Sequence, residues 1–332
     1  RACTPEQSKL PASSACHAPD LDSAVDACSD FGGHVNGKWL AANEIPGDRT
    51  SWGAFTILAE RSVAVQHQLA EQVAALQNPT GIEKIVGDFW ATGMDEARIN
   101  AQGLEPLKAD LAAIDALTDT ASISQYLRDS AAKGDNVLFG FGAEADFKNS
   151  SMNMAYASQG GLGLPDKTYY FDADKADKLQ AYQAHVAKVL ELSGVAADQA
   201  ASQAADVVKF ETRLAKASRS SVELSRDVSL YYNPVTLADA DKLTPNFSWT
   251  EFFKSQGVAA PEKFSLAMPA FHEEVSKALA DTDPSVWKAY LRFHSVDSAS
   301  PFLADAFVQE NYEFYGKTLN GQKEIQPRWK RG

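Results

Sequence analysis

Residues 28–61 read CSDFGGHVNGKWLAANEIPGDRTSWGAFTILAER. Aromatic anchors (Phe31, Trp39, Trp52, Phe55), glycines (Gly32, Gly33, Gly37, Gly53) and a lone cysteine, Cys28, fall within this one run. Pro46-Gly47 predicts a turn between two apolar segments, because proline fixes φ and glycine frees it. From Phe55 onward, Phe55, Leu58, Val63 and Leu69 fall roughly into helical spacing. The stretch reads as a tied-down approach to a long helix, not as a solvated tail.

Downstream, the helical period continues. Helices are predicted over 55–76, ending at Asn78-Pro79, and over 82–100, where Ile82, Ile85, Val86, Phe89, Trp90 and Met94 trace one apolar stripe. Shorter helices are predicted over 104–116 and 123–132, the second preceded by the capping residues Asp119 and Thr120. The period then changes to two. Residues 137–147 and 151–158 alternate and predict an antiparallel hairpin turning at 148–150. A Gly/Pro-rich loop covers 159–171. Helices follow over 173–192, 197–217, 235–243, 249–256, 269–280, 286–294 and 301–315, with a strand-like run at 264–268. Residues 1–27 read as irregular, with one short helical piece at 21–25. The fold class is therefore mainly α, a multi-helix lobe with a small antiparallel β-hairpin.

A net charge of −13 across 332 residues excludes nucleic acid as the natural partner, whose phosphates demand basic patches. No apolar run approaches the roughly 20 residues of a membrane helix, so no transmembrane segment is expected. Cys3, Cys16 and Cys28 crowd into the first tenth of the chain, without the spacing of a zinc knuckle. They are disulfide candidates in a secreted or periplasmic protein. Their odd number leaves one thiol free or paired outside the chain, and three unpaired thiols stay open as a reading. No leader is visible at Arg1, as expected of a mature exported chain.

The catalytic patterns are missing. A helical zinc site needs His-Glu-x-x-His, so that both imidazoles share one face. The nearest approach, His272-Glu273-Glu274-Val275-Ser276, puts serine where the second histidine belongs, and His272 reads as a surface or capping residue. No Gly-x-Ser-x-Gly elbow is present. Asp172, Asp174 and Asp177 open like a calcium loop, but Asp177 replaces its glycine and Gln183 its closing glutamate. Gly160–Gly163 lacks the lysine of a phosphate cradle and reads as a tight loop needing positive φ. No catalytic residue and no metal site is expected within this chain.

The order D-F-x-x-x-V-N-G-x-W-L-x-x-N-x-I-P through W-G-x-F-x-x-L, which includes Asn36, Gly37 and Trp39, resembles the N-terminal signature of the neprilysin-like (M13) zinc metallopeptidases. Gln159-Gly-Gly-Leu-Gly-Leu-Pro-Asp166 with Tyr169-Tyr170, carrying Gly161, Gly163, Pro165 and Asp166, resembles the loop G-L-x-L-P-D-x-x-Y-Y of the same enzymes. Ser225-Arg226-Asp227 with Tyr232-Asn233, Trp287-x-x-Tyr290-Leu291, and Pro327-Arg328-Trp329-Lys330-Arg331 continue the likeness in order, from Cys28 to Arg331.

The resemblance implies an N-terminal half whose helical lobe caps a thermolysin-like catalytic domain that is not in this chain. Residues 1–54 would be a segment tied to the catalytic half, 55–320 the cap domain, and 321–332 a linker. Zinc would belong to the complete enzyme and none to this chain; the partners would be the catalytic half and peptide substrates. Ser51, Trp52 and Phe55 become substrate-channel candidates. Some family members carry an arginine at the position of Ser51, which clamps a substrate carboxylate; serine cannot do so, which implies an endopeptidase. Ser51 as a simple helix start stays open beside that. The family's cysteine at the position of Cys28 pairs with one near the end of the catalytic half. A non-enzymatic, secreted helical peptide-binding protein built on the same lobe is the alternative.

Overall fold

The computed structural model describes residues 21–331. Three helices come first: α1 (Phe31–Ala42), α2 (Ala54–Ala74) and α3 (Gly81–Met94). α1 was not expected, because Gly32, Gly33 and Gly37 weaken helix propensity. The Asp30 side chain starts it by accepting from Gly33 N at 2.9 Å. The single helix expected over 82–100 is two, since Asp95 leaves the helical region (ψ 73) and its side chain caps α4 (Glu96–Gln102) by accepting from Arg98 N.

Next come α5 (Lys108–Asp115) and α6 (Thr120–Ala132). Asp119 caps α6 in a reciprocal box with Ser122. The hairpin β1 (Phe139–Asp146) and β2 (Asn149–Gln159) pairs Phe139 with Gln159 and Ala143 with Ala155. Two long helices follow, α7 (Ala176–Leu192) and α8 (Ala197–Ala217), the second with the predicted bounds. Ala200 and Ala204 are fully buried, which lets neighbouring backbones approach α8 closely. Beyond them lie α9 (Ser221–Arg226), β3 (Pro234–Val235), α10 (Leu237–Leu243), α11 (Trp249–Ser255), β4 (Phe264–Leu266), α12 (Pro269–Asp281) and α13 (Pro284–Ala299). The helix expected over 301–315 is instead α14 (Asp305–Asn311) running into a π-helical turn, Tyr312–Leu319. A strap over 320–327 leads to α15 (Arg328–Arg331).

The hairpin belongs to a larger, mixed sheet of order β1-β2-β4-β3. β4 runs parallel to β2, pairing Tyr156 with Ser265, and antiparallel to β3. Asn233 fixes that corner: its amide N donates to Ser265 Oγ (2.8 Å) and its Nδ2 to Leu266 O (3.0 Å). Beneath the sheet sits an aromatic cluster of Phe139, Phe247, Trp249, Phe252 and Phe264. His272 lies inside this cluster, 5.4 Å from Trp249, which corrects its reading as a surface residue. Its ring nitrogen Nε2 is 3.3 Å from Ala157 O, and burial pushes its proton affinity down to about pH 4. On the other side, α13 packs across α8, α7 and α5, with Phe210 edge-on to Trp287 (4.7 Å) and Tyr290 (4.9 Å).

Candidate functional site

Two buried polar centres hold the helical lobe rigid. The first is Glu211 on α8, wholly buried, which accepts from Tyr170 Oη (2.6 Å) and Tyr182 Oη (2.9 Å) and has His294 Nε2 at 2.7 Å. A buried carboxylate is tolerable only when its lone pairs are filled in this way. The network fixes the loop 159–166. Gly161 has φ +76 and a Cβ there would lie 2.7 Å from Tyr290 Oη; at Gly163 a Cβ would meet Tyr182 Oη at 1.9 Å. Asp166 accepts from Thr168 N (2.9 Å) and Ser221 N (2.6 Å). Burial works against its charge, but those bonds prevail and hold the carboxyl at about 2.

The second centre is His185 on α7, with Nε2 3.0 Å from Asp297 and Nδ1 2.9 Å from Glu310. Both ring nitrogens face carboxylates, so the geometry favours the imidazolium. Burial opposes that charge, yet Asp297 and Glu310 outweigh it and raise the proton affinity. Tyr315 Oη donates to Asp297 (2.7 Å), and the Phe314 ring stacks on the imidazole at 4.6 Å. One imidazole thereby joins α7, α13, α14 and the π-helical turn.

The α1–α3 region is built differently. No side chain of α1 or α2 is buried, and in α3 only Gly87 is. Of the apolar stripe read from the sequence, Trp90 and Met94 are half-buried, while Ile82 is 76 % exposed, Ile85 69 % and Phe89 80 %. Phe55 and Leu58 on α2, and Phe31 and Leu40 on α1, are exposed as well. Exposed apolar side chains concentrated on neighbouring helices such as α2 and α3 mark an interaction surface.

What anchors the α2–α3 pair is the C-terminal segment. Gly47 O accepts from Lys323 N (3.0 Å) and Glu324 N (2.8 Å). Lys330 Nζ lies 2.8 Å from Asp48 and 2.9 Å from Glu60, and Arg49 also pairs with Glu60. Trp329 stacks on His67, and Arg328 Nε donates to Gly93 O at 2.5 Å.

Ser51 and Phe55 are exposed and Trp52 is half-buried, all at the start of α2, whose cap is Gly53 and not Ser51. Asn36 is exposed on α1 beside Gly37, and Trp39 is 37 % exposed. Gly161, Gly163, Pro165 and Asp166 stand apart from these, in the loop held by Glu211. Cys28 is exposed and unbridged among the described residues, whereas Cys3, Cys16 and His17 lie outside them. Among the described residues no group of three or more His, Cys, Asp or Glu could hold a metal ion, and no helix is long and apolar enough to cross a membrane. Among the described histidines, His185 and His294 meet carboxylates, His272 and His34 carbonyl oxygens, and His67 the Glu71 carboxylate and the Trp329 ring. Sequence reasoning missed Glu211, although it stands with Val207, Leu214 and Ala215 on the apolar face of α8. A charge on that stripe was the available signal.

The family model for peptidase family M13 (its N-terminal part) matches residues 27–332. Endothelin-converting enzyme 1 of Cavia porcellus is 27% identical over 330 residues, covering 93% of this chain and 42% of that protein. Endothelin-converting enzyme-like 1 of Rattus norvegicus is 27% identical over 333 residues, covering 92% and 41%. The chain thus spans less than half the length of these curated relatives. The Mycobacterium tuberculosis zinc metalloprotease Zmp1, solved with an inhibitor, superposes with a TM-score of 0.85 at 31% identity, over 94% of this chain and 48% of Zmp1. PepO from Lactobacillus rhamnosis shares the fold, with a TM-score of 0.78 at 21% identity over 92% of this chain and 49% of PepO.

Proposed function

This chain belongs to peptidase family M13, corresponding to its N-terminal half, and from that premise we propose that it is the cap-bearing part of an exported zinc metalloendopeptidase that hydrolyses oligopeptides. The observation that carries the reading is the exposed apolar face of α1–α3. It fits docking onto a catalytic domain, and burying it would remove Ile85, Phe89 and Phe55 from water. Residues 1–54 and 321–332 tie the lobe to that domain, and 55–320 form the cap, with α2 and α3 at the border. The cap encloses the substrate cavity and admits short, flexible peptides in preference to folded proteins. Zinc, its ligands and the general base belong to the catalytic domain; this chain supplies enclosure and binds no metal. Cys28 is one end of a disulfide to the catalytic half, consistent with its exposure.

The test compares this chain with the chain joined to its catalytic domain, on a fluorogenic oligopeptide. The joined protein should cleave it and hold stoichiometric zinc, and the chain alone should do neither. Phe89→Asp should weaken the association of this chain with a separately expressed catalytic domain in a pull-down under reducing conditions. Cleavage or zinc binding by the chain alone would sink the assignment. Peptide binding by a particle of this chain alone, with no companion polypeptide, would favour the non-enzymatic binding protein. Ser51→Arg in the joined protein should increase cleavage close to a free C-terminus; an unchanged preference removes Ser51 from the substrate channel.

A further inference from the structure

Between the end of α14, the π-helical turn and the strap lies a cleft of about 300 Å³, lined by Asn311, Tyr312, Asn320, Gln322 and Arg331 among others. None of its lining residues is acidic, in a chain carrying 44 carboxylate side chains against 31 basic ones. Arg331 is the sole charged group on the wall. Its Nε donates to Gln326 O (2.9 Å) and its Nη1 to Pro301 O (3.2 Å). Among the described residues no carboxylate pairs with it, and Nη2 makes no hydrogen bond. Glu96 and Asp305 act on it only at a distance, while burial and the neighbouring Arg328 disfavour its charge. A half-buried guanidinium that touches only carbonyl oxygens, with its nearest carboxylates acting at a distance, is an incomplete electrostatic arrangement, which an anion would complete. Of the carboxamides on the wall, Asn320, Gln322 and Gln326 each already donate to a carbonyl oxygen (Tyr315 O, Glu324 O and Asp48 O), which leaves Asn311 as the neutral donor beside the guanidinium, and Val308, Ile325 and Pro301 supply apolar wall.

We propose that this cleft is a binding site for a small oxyanion, a carboxylate or a phosphate, seated on Arg331 between the π-helical turn and the strap. One charge-assisted contact with a neutral donor corresponds to half-saturation at roughly millimolar anion. The bound anion adds a bridge between two segments already joined by hydrogen bonds that include Tyr312 Oη to Gln322 O (3.3 Å), Gln322 N to Gly316 O (2.9 Å) and Asn320 Nδ2 to Tyr315 O (2.7 Å). This inference does not depend on the peptidase reading, since it concerns binding to this chain alone.

Hydrogen–deuterium exchange on the intact chain tests it, titrating sodium phosphate and sodium acetate separately with ionic strength held constant by sodium chloride. Exchange in residues 311–331 should slow several-fold with at least one anion and stay unchanged elsewhere. Response to acetate alone assigns a carboxylate ligand, and response to phosphate alone a phosphate. Arg331→Gln should abolish the protection. Asn311→Asp leaves the carbonyl bonds of Arg331 intact while placing a carboxylate on the wall, and should abolish it at unchanged melting temperature. Protection by neither anion, or equal protection in Asn311→Asp, overturns the proposal.

Discussion

The imidazole of His67 lies flat on the indole of Trp329, with ring centroids 4.2 Å apart and planes 8° from parallel. The two residues come from opposite ends of the chain. Together with the Lys330 contacts to Asp48 and Glu60, the stack makes the C-terminal segment the main support of a helix pair that buries almost nothing of its own.

Trp329→Ala should therefore loosen that pair selectively. The lost stack is worth about 1 kcal/mol. Amide exchange should accelerate in 54–94 and 321–331, with α7, α8 and α13 unchanged. Uniform acceleration across the chain would contradict this division.

Glu211→Ala should cost about 3–5 kcal/mol, because it strands the Tyr170 and Tyr182 hydroxyls and the His294 ring without an acceptor. Glu211→Gln keeps the shape and should lose less. Chemical denaturation measures both, and limited proteolysis should show new cleavage in 159–166 for the alanine variant.

Gly163→Ala should destabilise by about 1–3 kcal/mol, since its Cβ would overlap Tyr182 Oη in a packed interior. Gly142→Ala, with nothing within 4 Å of the new Cβ, should be close to neutral. Equal melting temperatures for the two variants would show that the loop repacks freely.

His272 is held neutral, with its folded-state value at about 4 against 6.5 for the free side chain. The unfolded chain thus takes up a proton first as pH falls. Stability should drop between about pH 6.5 and pH 4, by up to about 3 kcal/mol from this group. His272→Gln should flatten that part of the stability–pH curve.

His185 has the opposite sign. Its raised proton affinity contributes stability that is present below pH 6.5 and is lost as pH rises through the folded-state value. His185→Gln should remove the loss on the alkaline side, read as melting temperature against pH. An unaltered alkaline limb would show that the ring is not charged in the folded protein.

Much of the cap was legible in the sequence because its period and its packing agree. The bounds expected for α8, set off by Ser193-Gly194 and rich in alanine, are those observed. The stripes on α2 and α3 were legible as faces, but periodicity reports an apolar surface and not where its partner lies. His272 shares a face with Val275, Ser276 and Leu279 at spacings of three, four and seven, so its burial was legible in the spacing and lost to its polarity. β3 is two residues long and has no period to read; only Asn233 and Ser265, distant in sequence, create it. The strap, too, owes its position to contacts with the other end of the chain.

Where the chain passes from α3 into α4 and where it returns through the strap are neighbouring places. Arg328 reaches Gly93 O, and Asn100 exchanges two hydrogen bonds of 2.8 Å with Asp305. The part of the fold that runs from α4 to α14 is consequently a cassette whose two ends lie side by side. Such a unit can be exchanged for a short turn, or for the cap of a relative, without asking the surrounding structure to span a gap.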